Sequence, residues 1–247
     1  MKGVELAARF SFIVNHLRFC GPEGASKTFC EYFRGGSGNL HDLQSLLSRF
    51  EGAYLYLESI GEKSNLYPFD KSVVEAYWIG NELLDYFTDD DVRLIIKRLT
   101  QRGLPESIGR NRIDNLPSGL FPHHNFNVFY VGVGNLTGSV EATLNNMENC
   151  RINSGTVLEV LSSDSMLVKT TSLMVRDGRV YDDKEDIRTA TYLPEILPGI
   201  NTGDCVALHW GFAPMVLDDT QKENLRKYTD KLLLALGHCL SIQRKSA

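Results

Sequence analysis

The sequence predicts an α+β protein, with an all-helical N-terminal domain over residues 1–120 and a small β-barrel with a C-terminal helix over 121–247. Three observations carry this. Apolar residues recur at helical spacing up to about residue 101 and at a spacing of two beyond about residue 125. Between these regions Gly, Pro and Asn accumulate from Gly103 to Pro122, and connections of that length are usually functional or separate two domains. After the strand-like text, an apolar stripe returns from 220 to 236.

The elements follow in chain order. Val4, Ala7, Ala8, Phe10, Ile13, Val14 and Leu17 place a helix over 2–18, which Gly21-Pro22 stops. A short helix covers 23–33, and Gly35-Gly36-Ser37-Gly38 reads as a flexible connection. The segment 39–60 sets Leu40, Leu43, Leu47, Phe50, Tyr54 and Leu57 on one stripe, as expected of a single amphipathic helix. Asp70 or Ser72 can cap the next helix, whose apolar positions run to Phe87, and Thr88-Asp89-Asp90-Asp91 opens a fifth that reaches about 101. Beyond the linker, Phe126, Val128 and Tyr130 alternate with Asn125 and Asn127, which predicts a strand. A weak helix is expected over 138–148. Strands then cover 156–161, 166–175 and 204–210, with turns at Ser162-Ser163-Asp164 and Asp177-Gly178. Thr220 with Glu223 opens the last helix, and the tail Arg244-Lys245 reads as solvated.

Composition excludes several classes. The chain has 247 residues, 26 Lys and Arg against 31 Asp and Glu, and a formal net charge of −5. Neither half offers the basic footprint of a nucleic-acid binder. No apolar run approaches the roughly 20 residues of a membrane span and no signal-peptide pattern opens the sequence, so a cytoplasmic protein is expected, with neither nucleic acid nor membrane as partner. The five cysteines, Cys20, Cys30, Cys150, Cys205 and Cys239, form neither a disulfide framework nor a CxxC zinc site. No nucleotide-binding or hydrolase motif occurs.

Ile200-Asn-Thr-Gly-Asp-Cys-Val-Ala-Leu-His209-Trp-Gly-Phe-Ala213 resembles the signature of the HypC/HupF chaperones of [NiFe]-hydrogenase maturation. There a Gly-Asp pair introduces a strand ending in His-apolar-Gly-Phe-Ala. Upstream, Cys150 is followed five residues later by Gly155 and a β-branched strand, as the family's N-terminal cysteine is. The resemblance covers roughly 150–236; this cysteine is internal, and Asn153-Ser154 stand where the family usually has Ile-Pro. It implies a small OB-like barrel that carries iron bearing two cyanides and a carbonyl to a hydrogenase large-subunit precursor, among other maturation proteins, with Cys150 and His209 at the iron. In the N-terminal half, Cys20-Gly21-Pro22, Val74 to Asn81 and Pro122-His123-His124-Asn125-Phe126 resemble an uncharacterised bacterial family associated with hydrogenase gene clusters.

The residue chemistry is compatible with that expectation, because a thiolate and an imidazole are suitable ligands for iron. His123 and His124 are further candidates. Neighbours on a strand face opposite ways and cannot easily both bind one metal, so either the pair has a plain surface or capping role or one of them supplies a third ligand or a general acid near the junction of the two halves. Three readings follow from this set: a carrier using Cys150 and His209, an iron-dependent enzyme whose site lies between helical half and barrel, and a metal-free protein-binding module. A histidine brought to the Cys150–His209 pair around an enclosed pocket favours the enzyme. An open pair favours the carrier. Cys205 is expected to pack, Cys20 to be a buried turn cysteine or a redox thiol, and Glu75 and Asn81 to line a pocket or cap neighbouring helices.

Overall fold

The computed structural model describes residues 1–36, 38–176 and 179–237. Ser37, the turn at Asp177-Gly178, Cys239 and the tail Arg244-Lys245 lie outside the described residues. Helices precede and follow a four-stranded antiparallel sheet, so the α+β class holds.

The N-terminal helices are α1 (Gly3–His16), α2 (Ala25–Phe33), α3 (Leu40–Leu47), α4 (Ala53–Ser64), α5 (Lys71–Trp78), α6 (Asp89–Thr100) and α7 (Glu106–Asp114). Caps written in the sequence set several of these boundaries. Asp70 accepts the Ser72 N–H at the start of α5, and Thr88 and Asp91 form a reciprocal capping box at α6. Three expectations are corrected. The predicted helix over 39–60 is two helices, because the chain breaks at 48–52 so that Phe50 can lie flat against Gly21; a Cβ at Gly21 would sit 2.4 Å from the ring. The helix expected to run to Phe87 stops at Trp78. Gly80 there adopts φ +98° beneath Tyr228, a conformation that favours glycine, and a 3-10 turn over Glu82–Tyr86 follows. The stretch 103–122 contains α7 rather than being loop throughout.

The strand predicted from Phe126 to Tyr130 is also absent. His123 caps a single α-helical turn, α8 (His124–Phe126), which runs into a π-helical turn over Asn127–Gly132. The period of two misled because this short turn buries Phe126, Val128, Tyr130 and Val131 together, against both halves of the molecule. Helix α9 (Leu144–Cys150) then delivers the chain to the sheet, six residues later than the expected start.

The sheet order is β3-β2-β1-β4, with β1 (Asn153–Val160), β2 (Ser165–Arg176), β3 (Arg179–Thr191) and β4 (Cys205–Leu208). The predicted barrel is corrected: the sheet does not close. Among the described residues, edge strand β3 reaches the far side through one parallel bridge, from Thr191 to Phe212 in the segment after β4, whereas closure needs a continuous ladder between β3 and β4. With only four residues, β4 is too short to supply one, and its outer side is taken up by the returning segment, where Ala207 N–H donates to Met215 O and Leu217 N–H to Cys205 O. Helix α10 (Asp219–Ala235) is capped by Asp218 with Gln221 rather than by Thr220.

The buried apolar residues form one contiguous cluster from Leu6 on α1 to Leu232 on α10. Asn125 ties the two halves at its centre. Its side chain accepts from Ile152 N–H at 2.8 Å and donates to Ile152 O at 3.0 Å and to Thr229 Oγ1 at 2.9 Å.

Candidate metal centre

Four segments converge where helices meet the sheet. The Asn125 clamp holds the start of β1 against α8, which brings the Cys150 carbonyl within 2.9 Å of His124 Nε2 and the Cys150 sulfur within 3.9 Å of the same nitrogen. His209 arrives from the end of β4. The ligand atoms of His124, Cys150 and His209 all lie within 4.8 Å of one another, so the cluster could hold a metal ion. A tetrahedral centre with metal–sulfur near 2.3 Å and metal–nitrogen near 2.0–2.1 Å places sulfur and nitrogen about 3.5 Å apart, so the Cys150–His124 pair at 3.9 Å is close to that spacing and the widest pair, within 4.8 Å, would have to close by about 1.3 Å or less.

Each histidine is oriented by a partner on its other nitrogen. His209 Nδ1 donates to Phe10 O of α1 at 3.1 Å, and this fixes the tautomer whose Nε2 lone pair is free; that nitrogen is buried without a hydrogen-bond partner. His124 Nδ1 lies 3.1 Å from the Tyr77 hydroxyl. In the metal-free protein Nε2–H donates to Cys150 O while Tyr77 donates to Nδ1. To hold a metal at Nε2, His124 would give up its bond to Cys150 O and carry its proton on Nδ1, which would then donate to the Tyr77 hydroxyl. Aromatic stacking adds rigidity: Trp78 stacks on His124 at 4.6 Å between centroids and on Phe10 at 4.9 Å, and the two histidine rings meet edge to face at 5.1 Å.

His123 goes elsewhere. Its Nδ1 accepts the Asn125 N–H at 3.0 Å and its ring is directed to the Ile79 backbone, outside the cluster. The two neighbours diverge because they straddle a helix start, not because they alternate on a strand.

Burial sets the charges. It pushes His123 down to about 3 and His209 down to about 4, and holds His124 well below the ordinary range with the adjacent His209 adding to the effect. All three rings are therefore neutral at pH 7, as ligands must be. Burial also pushes the Cys150 thiol up to about 12, against the opposing effect of the Trp210 indole, so a metal must displace its proton.

Beside the cluster lies a cavity of about 70 Å³ whose wall includes Cys20, Phe50, Trp78, Val133 and Trp210. Cys20, expected to be a buried turn cysteine or a redox thiol, donates through its thiol to Glu51 Oε2 at 3.5 Å, which also accepts the Gly21 N–H at 2.9 Å. Trp210 sits with Gly211 in a two-residue reverse turn closed by paired hydrogen bonds between His209 and Phe212. Its φ of +51° is unusual for so large a residue, and the turn sets its indole beside the Cys150 sulfur. Sequence reasoning missed Tyr77, Trp78 and Trp210, which act through the fold and carry no ligand signature of their own.

The other candidates settle into structural contacts. Cys205 is half-buried against the core, Glu75 accepts from Gln221, and Asn81 caps the 3-10 turn and donates to Ser72 O at 2.8 Å. Cys20, Cys30, Cys150 and Cys205 are free thiols. No helix among the described residues is long and apolar enough to cross a membrane.

The chain belongs to the family described as "Family of unknown function (DUF6390)", which matches residues 1–243. No curated protein and no solved structure matches it.

Proposed function

We propose that this chain is an iron-dependent enzyme that acts on a small molecule at the His124–Cys150–His209 centre. The observation that carries this reading is the third ligand-type group, His124, brought to the Cys150–His209 pair in the wall of a recessed cavity lined by buried and half-buried residues. Three protein ligands with a free fourth position are the arrangement of catalytic rather than structural metal sites. Two imidazoles and one thiolate suit iron, zinc or copper; iron is the choice consistent with the HypC/HupF-like signature around His209. Iron would supply a Lewis acid and a site of redox chemistry. The chain itself contributes orientation, through Phe10 O and Tyr77, and exclusion of water, through Trp78 and the apolar wall.

A second reading is supported by the meeting of Cys150 and His209 themselves: a carrier of iron with two cyanides and a carbonyl, serving a hydrogenase large-subunit precursor. One experiment separates the two. Protein purified without oxygen from cells co-expressing hydrogenase maturation genes is assayed for metal and for infrared absorption, alongside Cys150→Ala and His209→Ala. Iron lacking cyanide and carbonyl stretches supports the enzyme. Iron with stretches that vanish in both variants supports the carrier, and a wild-type protein without iron overturns both.

A further inference from the structure

We propose that the fourth position of this centre takes a monovalent anion of a few heavy atoms, which accepts a hydrogen bond from the Trp210 indole. The inference rests on the metal-centre reading above and adds the class of ligand. Charge is the first argument. A divalent ion with one thiolate and two neutral imidazoles carries a net charge of +1, and burying an unbalanced charge is unfavourable unless it is paired. No Asp, Glu, Lys or Arg lines the cavity. The Glu51 carboxylate lies behind Cys20, where it accepts from the Cys20 thiol and the Gly21 N–H, and does not line the cavity. Arg151 pairs with Glu148 and Asp182 and Arg188 with Glu148 and Asp186, and none of these lines the cavity either. The protein therefore leaves the balancing charge to the ligand.

Size is the second argument. One water molecule needs about 10–15 Å³ of space open to the centre of a water-sized sphere, so a cavity of about 70 Å³ in that measure admits a ligand of about five heavy atoms beside the metal. Hydrogen bonding is the third. Trp78 Nε1 is buried and makes no hydrogen bond, and Trp210 Nε1 has no nitrogen or oxygen acceptor, only the Cys150 sulfur beside it, although nearly all buried polar groups are paired. Trp210 is held beside the Cys150 sulfur by a backbone conformation that large side chains rarely adopt, which places its N–H at the cavity wall next to a ligand atom of the centre. A donor on a wall that carries no charged group selects an acceptor, and a charged acceptor most strongly.

The test uses the full chain loaded without oxygen with cobalt(II), whose visible bands report coordination, and sodium azide as the anion. Azide is expected to shift the bands with saturation. Trp210→Phe is expected to weaken azide roughly tenfold or more, the loss of one hydrogen bond to a charged group, with cobalt affinity unchanged. Val140→Phe, which narrows the cavity from the 138–140 loop without touching a ligand, is expected to weaken azide as well. Neutral imidazole is expected to bind more weakly than azide. Cobalt bound but blind to azide on the order of 0.1 M overturns the inference and leaves the metal centre standing. Imidazole binding more tightly than azide, or both variants retaining wild-type azide affinity, overturns it too. Failure to bind cobalt at all overturns the metal-centre reading and this inference with it.

Discussion

Cys150 and Arg151 are neighbours in the chain, yet their surroundings obey opposite rules. The Arg151 side chain has no exposed surface and every direction around it is answered: Nε donates to Glu148 at 2.9 Å, Nη1 and Nη2 grip the two Asp182 oxygens at 2.7 and 2.9 Å, and Nη2 also reaches Thr171 O. Glu148 in turn accepts Leu173 N–H at 2.8 Å and pairs with Arg188. The Cys150 side of the same backbone faces a cavity with no charged side chain, in which His209 Nε2 and the Trp78 N–H have no partner and the Trp210 N–H meets only the Cys150 sulfur. Closed polar networks hold a fold together, and open ones wait for something from outside. The comparison separates the structural half of this junction from the functional half.

The largest test of that contrast is Arg151→Met. It takes from Asp182 its two-pronged guanidinium partner and from Glu148 one of its two cations, and is expected to cost about 3–5 kcal/mol, read from the urea midpoint. Cys150→Ala in the metal-free protein should change stability far less. The second test adds metal. At a free concentration 100-fold above Kd, iron(II) or cobalt(II) should stabilise the wild type by about 2.7 kcal/mol, and Cys150→Ala and His209→Ala should lose that increment; a variant of either kind that keeps it would contradict the ligand set.

Third comes pH. The three buried histidines have folded-state pKa values below the usual 6.5, so the unfolded chain binds more protons once the pH falls under 6.5. Their contribution is fully present above 6.5 and declines on acidification by about 1.4 kcal/mol per pH unit for each ring. His209→Gln should reduce that slope by one ring's share between pH 6.5 and 5 in metal-free protein, as followed by urea unfolding at fixed pH values. The smallest expected effect is at Cys205, a half-buried packing residue outside the centre. Cys205→Ser is expected to shift stability by about 1 kcal/mol or less and to leave metal binding untouched.

What could be read in the sequence follows the range of the interaction involved. Caps and stripes are local, and α1, α2 and α6 lie within a few residues of where spacing put them. Strand β3 could not be read that way. Its stretch Asp182-Asp183-Lys184-Glu185-Asp186 looks like a solvated charge run, and only the long ladder to β2 and pairs such as Ser172 with Asp186 make it a strand. Closure of the sheet depends on β4 being four residues long, a boundary that periodicity does not set. At the site, Cys150 and His209 were legible through the signature, and the His123-His124 pair was legible as an alternative. The choice between its members is made by Asn125, whose bonds to Ile152 and Thr229 span 27 and 104 residues. Trp210 was hidden in plain view, because its role depends on a left-handed turn that puts the indole beside a sulfur 60 residues upstream in the chain.

The central claim is that one ion is held by one sulfur and two imidazoles, and X-ray absorption of iron-loaded, oxygen-free protein tests it most directly. The account predicts about one iron per chain with a single sulfur scatterer near 2.3 Å, imidazole nitrogens near 2.0–2.1 Å, and loss of the sulfur shell in Cys150→Ser. Iron bound through oxygen alone, or a sulfur shell that survives Cys150→Ser, would contradict it.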